Sequence, residues 1–276
     1  MPTFLGNAFA TFFNRILQFG HAGNNGTPTS TTNIQSGDGV ATSVSLSDDV
    51  LSVQPVNDST TGTMLVKNKG GSNILAVDTT NSKVLLGASQ IAANTQYAYF
   101  GVSSNEGSWD DCLADQHYAV PFSNTASTTI GTIASFAMGS ATSSSFNDTN
   151  PATSLTISST AHEIIHAYWY VFDDITIDGV RWFHAADTAT GDVTAAHLMA
   201  YTIDVGSGST GGDLSNGVVV ADGATITNAG YEQIVSQPMT IQSADVDGGK
   251  VILFTFATDT ISSDYSINCV VKYHIK

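Results

Sequence analysis

Positive charge is what this sequence has least of. Lysine and arginine together number 8 in 276 residues, against 24 aspartates and glutamates, for a formal net charge of −16. A surface this acidic repels phosphate backbones, which argues against nucleic-acid binding, and it disfavours anionic membrane surfaces for the same reason. Charge of this size serves solubility and resistance to non-specific association. Cysteine is almost absent. Cys112 and Cys269 are the only two, far apart and without metal-ligand spacing. A single disulfide would add little to a chain this long, so two free buried thiols are the expectation, in keeping with assembly in a reducing cytoplasm. No apolar run is long enough to span a bilayer. The apolar opening, MPTFLGNAFATFFNRILQF, has no basic leading region, carries Arg15 inside its apolar part and shows no small-residue cleavage site. It does not read as a secretory signal.

That opening holds the one clear helical pattern. Phe4, Leu5, Ala8, Phe9, Phe12, Phe13, Ile16 and Leu17 recur at i, i+1, i+4 and i+5, which places them on one helical face. The spacing predicts a helix over residues 3–19, with Gly20 as its stop. Four phenylalanines on one face need a partner. The following HAGNNGTPTSTTN is rich in Gly, Asn, Ser and Thr and reads as a linker. Residues 1–39 are therefore expected to be a docking or oligomerisation element. Its contact residues are Phe4, Leu5, Phe9, Phe12, Phe13, Ile16 and Leu17.

The rest is strand-like, and the expected fold class is mainly β. In residues 40–87, ATSVSL, VLSVQPV, TMLVKN, NILAVD and KVLLG alternate with the turn formers SDD, NDSTTG, KGGS and TTNS. Strands this short cannot close a core within one chain. A β meander or prism stem with a core shared between copies, a homotrimer, is the expectation. Residues 88–116 read as a connector holding a short helix and a loop. From 117 to 276, ten strand candidates separated by Gly, Asn, Asp, Ser and Thr predict a jelly-roll-like β-sandwich. They include EIIHAYWYVF, ITIDGVRWFHAA and KVILFTFATD.

Four patterns carry candidate chemistry. HEIIH at 162–166 has zinc-protease spacing, but two ligands at i and i+4 converge only on a helix. Here the motif runs into AYWYVF, a strong strand former. On a strand, His162 and His166 would stand about 13 Å apart, and no third ligand follows at a suitable spacing, so no metal site is expected there. Asp245-Val246-Asp247-Gly248 looks like a fragment of a calcium loop without the later Glu or flanking helices, and reads as a polar hairpin turn. Glu occurs only at 106, 163 and 232, and no carboxylate pair for glycoside cleavage stands out. GSGSTGGD at 206–213 has no following helix or Lys, so it is a flexible sandwich loop rather than a phosphate loop. Trp109, Trp169, Trp182 and Tyr231 are the candidates for stacking on sugars; for Trp169 and Trp182, core packing is the stronger expectation. No catalytic residue and no cofactor is expected.

Several long stretches resemble a known family. SLSDDVLSVQPVNDSTTGTMLVKNKGGSNILAVDTTNSKVLLGASQ is similar to a segment of fibre-like virion structural proteins of marine tailed bacteriophages. ITIDGVRWFHAADTATGDVTAAHLMAYTIDVGSGSTGGDLSNGVVVADGATITNAGYEQ and SDYSINCVVKYHIK resemble the C-terminal domain that accompanies it, and FFNRILQFGHAGNNG resembles the start of such proteins. The resemblance implies a virion component without enzymatic activity, assembled in the host cytoplasm. Its N-terminus would attach to other virion proteins, and its outward β-rich head would meet a host surface glycan or protein. A capsid decoration protein is the alternative, and a zinc or glycoside hydrolase is a more distant one.

Overall fold

The computed structural model describes residues 18–19, 29–35, 39–55, 61–87, 89, 91–102, 114–122, 138, 151–157, 161–186, 190–230, 232–260 and 265–276. The chain is mainly β and built from antiparallel sheets. It divides into two compact units, residues 1–94 and 95–276. Phe4, Leu5, Phe9, Phe12, Phe13, Ile16 and Leu17 lie outside the described residues. The end of the predicted helix is corrected: Gln18–Phe19 is a strand paired with Gln35 and Ile34.

The first unit holds two four-stranded sheets. One comprises β1 (Gln18–Phe19), β2 (Thr32–Gln35), β3 (Ala41–Leu46) and β4 (Leu51–Val53), in that order. The other comprises β5 (Met64–Lys67), β6 (Asn73–Asp78), β7 (Lys83–Leu86) and β8 (Ile91–Ala92), also in chain order. β3 to β7 are short strands of the kind the turn clusters in residues 40–87 predicted, whereas β2 corrects the linker reading by placing strand at Thr32–Gln35, and β8 falls in the expected connector. The β6–β7 turn is held by Asp78, which accepts hydrogen bonds from the Asn81 backbone and side-chain amides at 3.0 and 2.8 Å.

The second unit begins with β9 (Thr95–Val102) and β10 (Gln116–Val120). Within the expected connector at 88–116, residues 95–102 are strand, where TQYAYFGV is rich in aromatic and small residues, and residues 103–113 lie outside the described residues. A single helical turn, α1 (Ala161–Ile164), continues as a 3-10 turn at Ile165–Ala167. Then come β11 (Trp169–Tyr170), β12 (Ile175–Ala186), β13 (Val193–Ile203), β14 (Leu214–Asp222) and β15 (Ile226–Thr227). The chain ends with β16 (Gln233–Pro238), β17 (Thr240–Ile241), β18 (Asp245–Val246), β19 (Lys250–Thr258) and β20 (Tyr265–Ile275). One sheet has the order β10-β19-β13-β14-β17, with β11 and β15 at its margins; the other has the order β16-β12-β20-β9, with β18 beside β12.

Side-chain alternation shows how the two sheets are used. In β12, Val180, Trp182 and His184 are buried while Arg181 is exposed, the period of a strand with one wet face. Trp182, Ile267, Cys269 and Val271 meet Leu198, Ile252, Phe254 and Phe256 in one core. Each such side chain removed from water contributes about 1.5–3 kcal/mol. β19 is different, because it is buried on both faces. Ile252, Phe254 and Phe256 enter the inter-sheet core, while Val251 and Leu253 pack in a second cluster with Met138, Ile164, Ala167, Met199 and Tyr201. This is why KVILFTF is nearly continuous rather than alternating.

Candidate functional site

HEIIH is the first place to look, and its local structure corrects the sequence reading. Residues 161–167 are helical, and strand resumes only at Trp169. Burial decides this over strand propensity. Ile164 and Ala167 are buried under the outer face of the seven-stranded sheet with Leu253 and Met199, an i, i+3 pattern that a strand could not present. Helical geometry alone does not make a zinc site. The 3-10 segment advances about 120° per residue rather than 100°, which turns His166 away from the line of His162. Both histidines are exposed. Among the described residues, no group of three or more His, Cys, Asp or Glu is placed to hold a metal ion. The backbone carbonyl of His166 instead accepts from Phe122 N at 2.8 Å, tying the turn to the end of β10.

Beside this turn lies a groove of about 380 Å³, lined by Ile157, Ala161, His162, Ile165, Tyr168 and Gly212, among others. Tyr168 closes its floor by donating from its hydroxyl to Gly212 O at 2.9 Å. Burial, with Asp213 nearby, pushes the Tyr168 phenol up to about 12, so it remains a hydrogen-bond donor at neutral pH. The groove is mostly apolar, and among the described residues His162 and Tyr168 are its titratable side chains.

The other motifs resolve into structure. Asp245 begins β18, where its carboxylate accepts from Thr176 Oγ1 at 2.8 Å and pairs with Lys276 at 3.0 Å. It is committed to strand pairing, and the turn follows at 248–249. The glycine-rich segment folds as a hydrogen-bonded turn. Asp204 Oδ1 accepts from Gly206 N at 2.8 Å, Asp204 Oδ2 from Thr210 Oγ1 at 2.6 Å, and Asp204 O from Gly212 N at 2.8 Å. Trp169 stacks on Phe122, and Trp182 donates from Nε1 to Gln237 Oε1 at 3.0 Å within the core; both pack rather than bind. Cys269 is a buried free thiol, pushed up by burial. Trp109, Tyr231 and Cys112 lie outside the described residues.

Four of the six described histidines are buried: His117, His184, His197 and His274. His184 Nε2 lies 2.9 Å from Asn228 Oδ1, and His274 Nδ1 lies 2.9 Å from Asp178 Oδ2. His117 Nδ1 and His184 Nδ1 are buried and make no hydrogen bond among the described residues. The strand pattern alone did not distinguish these buried histidines from exposed ones.

The strongest candidate for interaction is the sheet β5–β8. Register partners share a face. Met64, Val77 and Val84 form one row, and Val66, Leu75, Leu86 and Ile91 form the next on the same side. The opposite side carries Leu65, Ala76, Leu85 and Ala92 in one row, with Ile74 beside it. Both faces of this sheet are therefore aliphatic. Met64, Leu65, Val66, Ile74, Val84, Leu86 and Ile91 are all 40–50% exposed. Among the described residues of the first unit, Ala76 is the one buried apolar side chain. The second unit, by contrast, has its own core.

No protein-family model matches the chain, and no curated protein matches it either. Fold and surface together define a mainly antiparallel β protein whose second unit has its own core and whose first unit carries exposed aliphatic side chains on both faces of the sheet β5–β8.

Proposed function

We propose that this protein is a non-enzymatic structural component of a tailed-phage virion. In this reading it is a homotrimeric fibre or spike appendage, attached to other virion proteins through its N-terminal residues and presenting its sandwich to the host surface. The observation that carries the reading is the sheet β5–β8, aliphatic on both faces and exposed on both. A two-fold contact covers one patch with its own copy, whereas a three-fold ring gives every chain two neighbours on two different patches. A sheet with two uncovered apolar faces fits the second case. The resemblance of residues 45–90 to fibre-like virion proteins supports the same assignment.

The sandwich is read as an eight-stranded jelly roll. Its strand pairing supports this: β9 pairs β20, β10 pairs β19, β12 pairs β20 and β16, and β13 pairs β19 and β14. The first strands thus pair with the last, and successive long strands alternate largely between the two sheets. Jelly rolls recur in viral capsid proteins and lectins, an analogy at the level of fold.

Light scattering after size exclusion of the full-length protein tests the proposal. A mass three times the 28.8 kDa chain is the expected result. A monomer at micromolar concentration would overturn the shared stem.

A further inference from the structure

We propose that the outer face of the sheet β16-β12-β20-β9 is a binding surface for an anionic polysaccharide. The inference deepens the host-surface reading above and rests on it for the source of the polymer. The binding surface itself is read from the second unit alone.

The face is organised in rows. Tyr99, Val270, Arg181 and Pro238 are successive register partners across the sheet, and Tyr97 stands opposite Lys272, which in turn faces Gly179. Tyr97 and Tyr99 are 53% and 43% exposed. On an edge strand they set two rings about 7 Å apart. Arg181 and Lys272 are diagonal neighbours on adjoining strands, with β-carbons about 7–8 Å apart. Gly179 has no side chain to cover them and faces open space.

Charge favours an anion on this face. The protein has 8 lysines and arginines and a net charge of −16, so its general surface repels a polyanion. Arg181 and Lys272 nevertheless have no acidic partner among the described residues. Arg181 Nη1 donates to Ser236 Oγ at 2.9 Å, which leaves most of its donors available. The nearby carboxylates are already paired: Asp178, at the bulge in β12, with His274, and Asp245 with Lys276. Two cations without acidic partners beside two exposed phenols give this face a local attraction for an anion on an otherwise acidic protein.

The ligand class follows from the chemistry. Small molecules take concave pockets, whereas this surface is an open sheet face suited to an extended polymer. Tyrosine offers an apolar ring and a polar tip, matching a sugar ring with its C–H face and hydroxyl edge. Guanidinium and ammonium groups take carboxylate or sulfate. Weak sites repeated on an oligomer would gain by effective concentration.

Affinity electrophoresis of the full-length protein tests the proposal, in gels containing alginate, heparin or neutral dextran. Retardation by alginate or heparin, weakened by salt and absent with dextran, is the expected result. Arg181→Gln combined with Lys272→Gln, and separately Tyr97→Ala combined with Tyr99→Ala, should each weaken it roughly tenfold. Unchanged melting temperatures and light-scattering masses would exclude misfolding. If Lys272→Gln disturbs the fold, Arg181→Gln at its exposed position carries the test alone. No retardation by either polyanion, equal retardation by dextran, or full retardation of a folded Arg181→Gln variant would overturn the proposal. The oligomeric mass is read separately, so failure here is distinguishable from failure of the stem.

Discussion

His117 and His197 meet edge to face, ring centroids 4.8 Å apart, from opposite sides of the central strand β19. Both are almost wholly buried, and His197 Nε2 lies 3.2 Å from Asp222 Oδ1. Burial, with His197 second, lowers His117 from its ordinary value to about 3. His184 is also lowered by burial.

Stability should therefore fall on mild acidification. A depressed histidine is neutral in the fold, while its unfolded form takes up a proton below about 6.5. The contribution is complete above that value and is lost as pH falls below it, for His117 down towards about 3, at up to about 1.4 kcal/mol per pH unit for each histidine. Carboxylates with lowered values, such as Asp245, act only below the usual carboxylate range. Urea unfolding at pH 7.5, 6.0 and 5.0 should show the decline, and His117→Leu should flatten it. A slope unchanged in that variant would remove His117 as the cause.

Gly217 sits where a β-carbon would lie 2.5 Å from the Tyr201 ring and 2.9 Å from Thr153 Cα. Tyr201 is fully buried and donates to Ala152 O at 2.9 Å, so its ring has no room to retreat. Gly217→Ala should cost about 1–3 kcal/mol, measured as a shift of the urea midpoint. Gly208, with nothing within 4 Å, is the control position and should tolerate the same change.

The exposed aliphatic rows of β5–β8 make a sharper prediction than mass alone. Leu86→Asp places a charge among Leu75, Val66 and Ile91, and burying it between copies without a partner costs several kcal/mol. Light scattering should register a single chain. The sandwich, which has its own core, should keep its unfolding midpoint.

Asp204 organises the 204–213 hairpin loop. Hydrogen bonds from Thr210 and Gly206 hold its carboxyl below the usual range, so the loop keeps this arrangement until pH falls below that of ordinary carboxylates. Asp204→Ala should speed protease nicking within 205–213 roughly tenfold, with unfolding of the body unchanged. Equal nicking rates would show that the backbone bonds of the turn suffice.

His162 and His166 are both exposed. His162→Ala should change stability by no more than about 0.5 kcal/mol and leave zinc content unaltered by elemental analysis. A stoichiometric zinc lost in that variant would reinstate the hydrolase reading.

Much of the fold was legible because period-2 alternation and turn residues are local signals. ATSVSL, NILAVD and ITIDGVRWFHAA are strands over the very residues the pattern marked. The uninterrupted apolar run of KVILFTF announced a strand covered on both sides, as β19 is. The sequence by itself also determined the acidic surface, the scarcity of cations and the shortage of core in residues 40–87, because composition needs no contacts. Only tertiary structure decided the rest. AHEIIHA has the β-branched and aromatic neighbours of a strand, yet it is helical because Ile164 and Ala167 reach the outer face of the sheet one turn apart. Strand TQYAYFGV was hidden by its small residues and became a strand by pairing with β20, about 170 residues later. The juxtaposition of Tyr97, Tyr99, Arg181 and Lys272 is likewise set by register between distant strands. Sequence spacing carries information along one strand, and which strands become neighbours is settled by how two sheets close on a shared core.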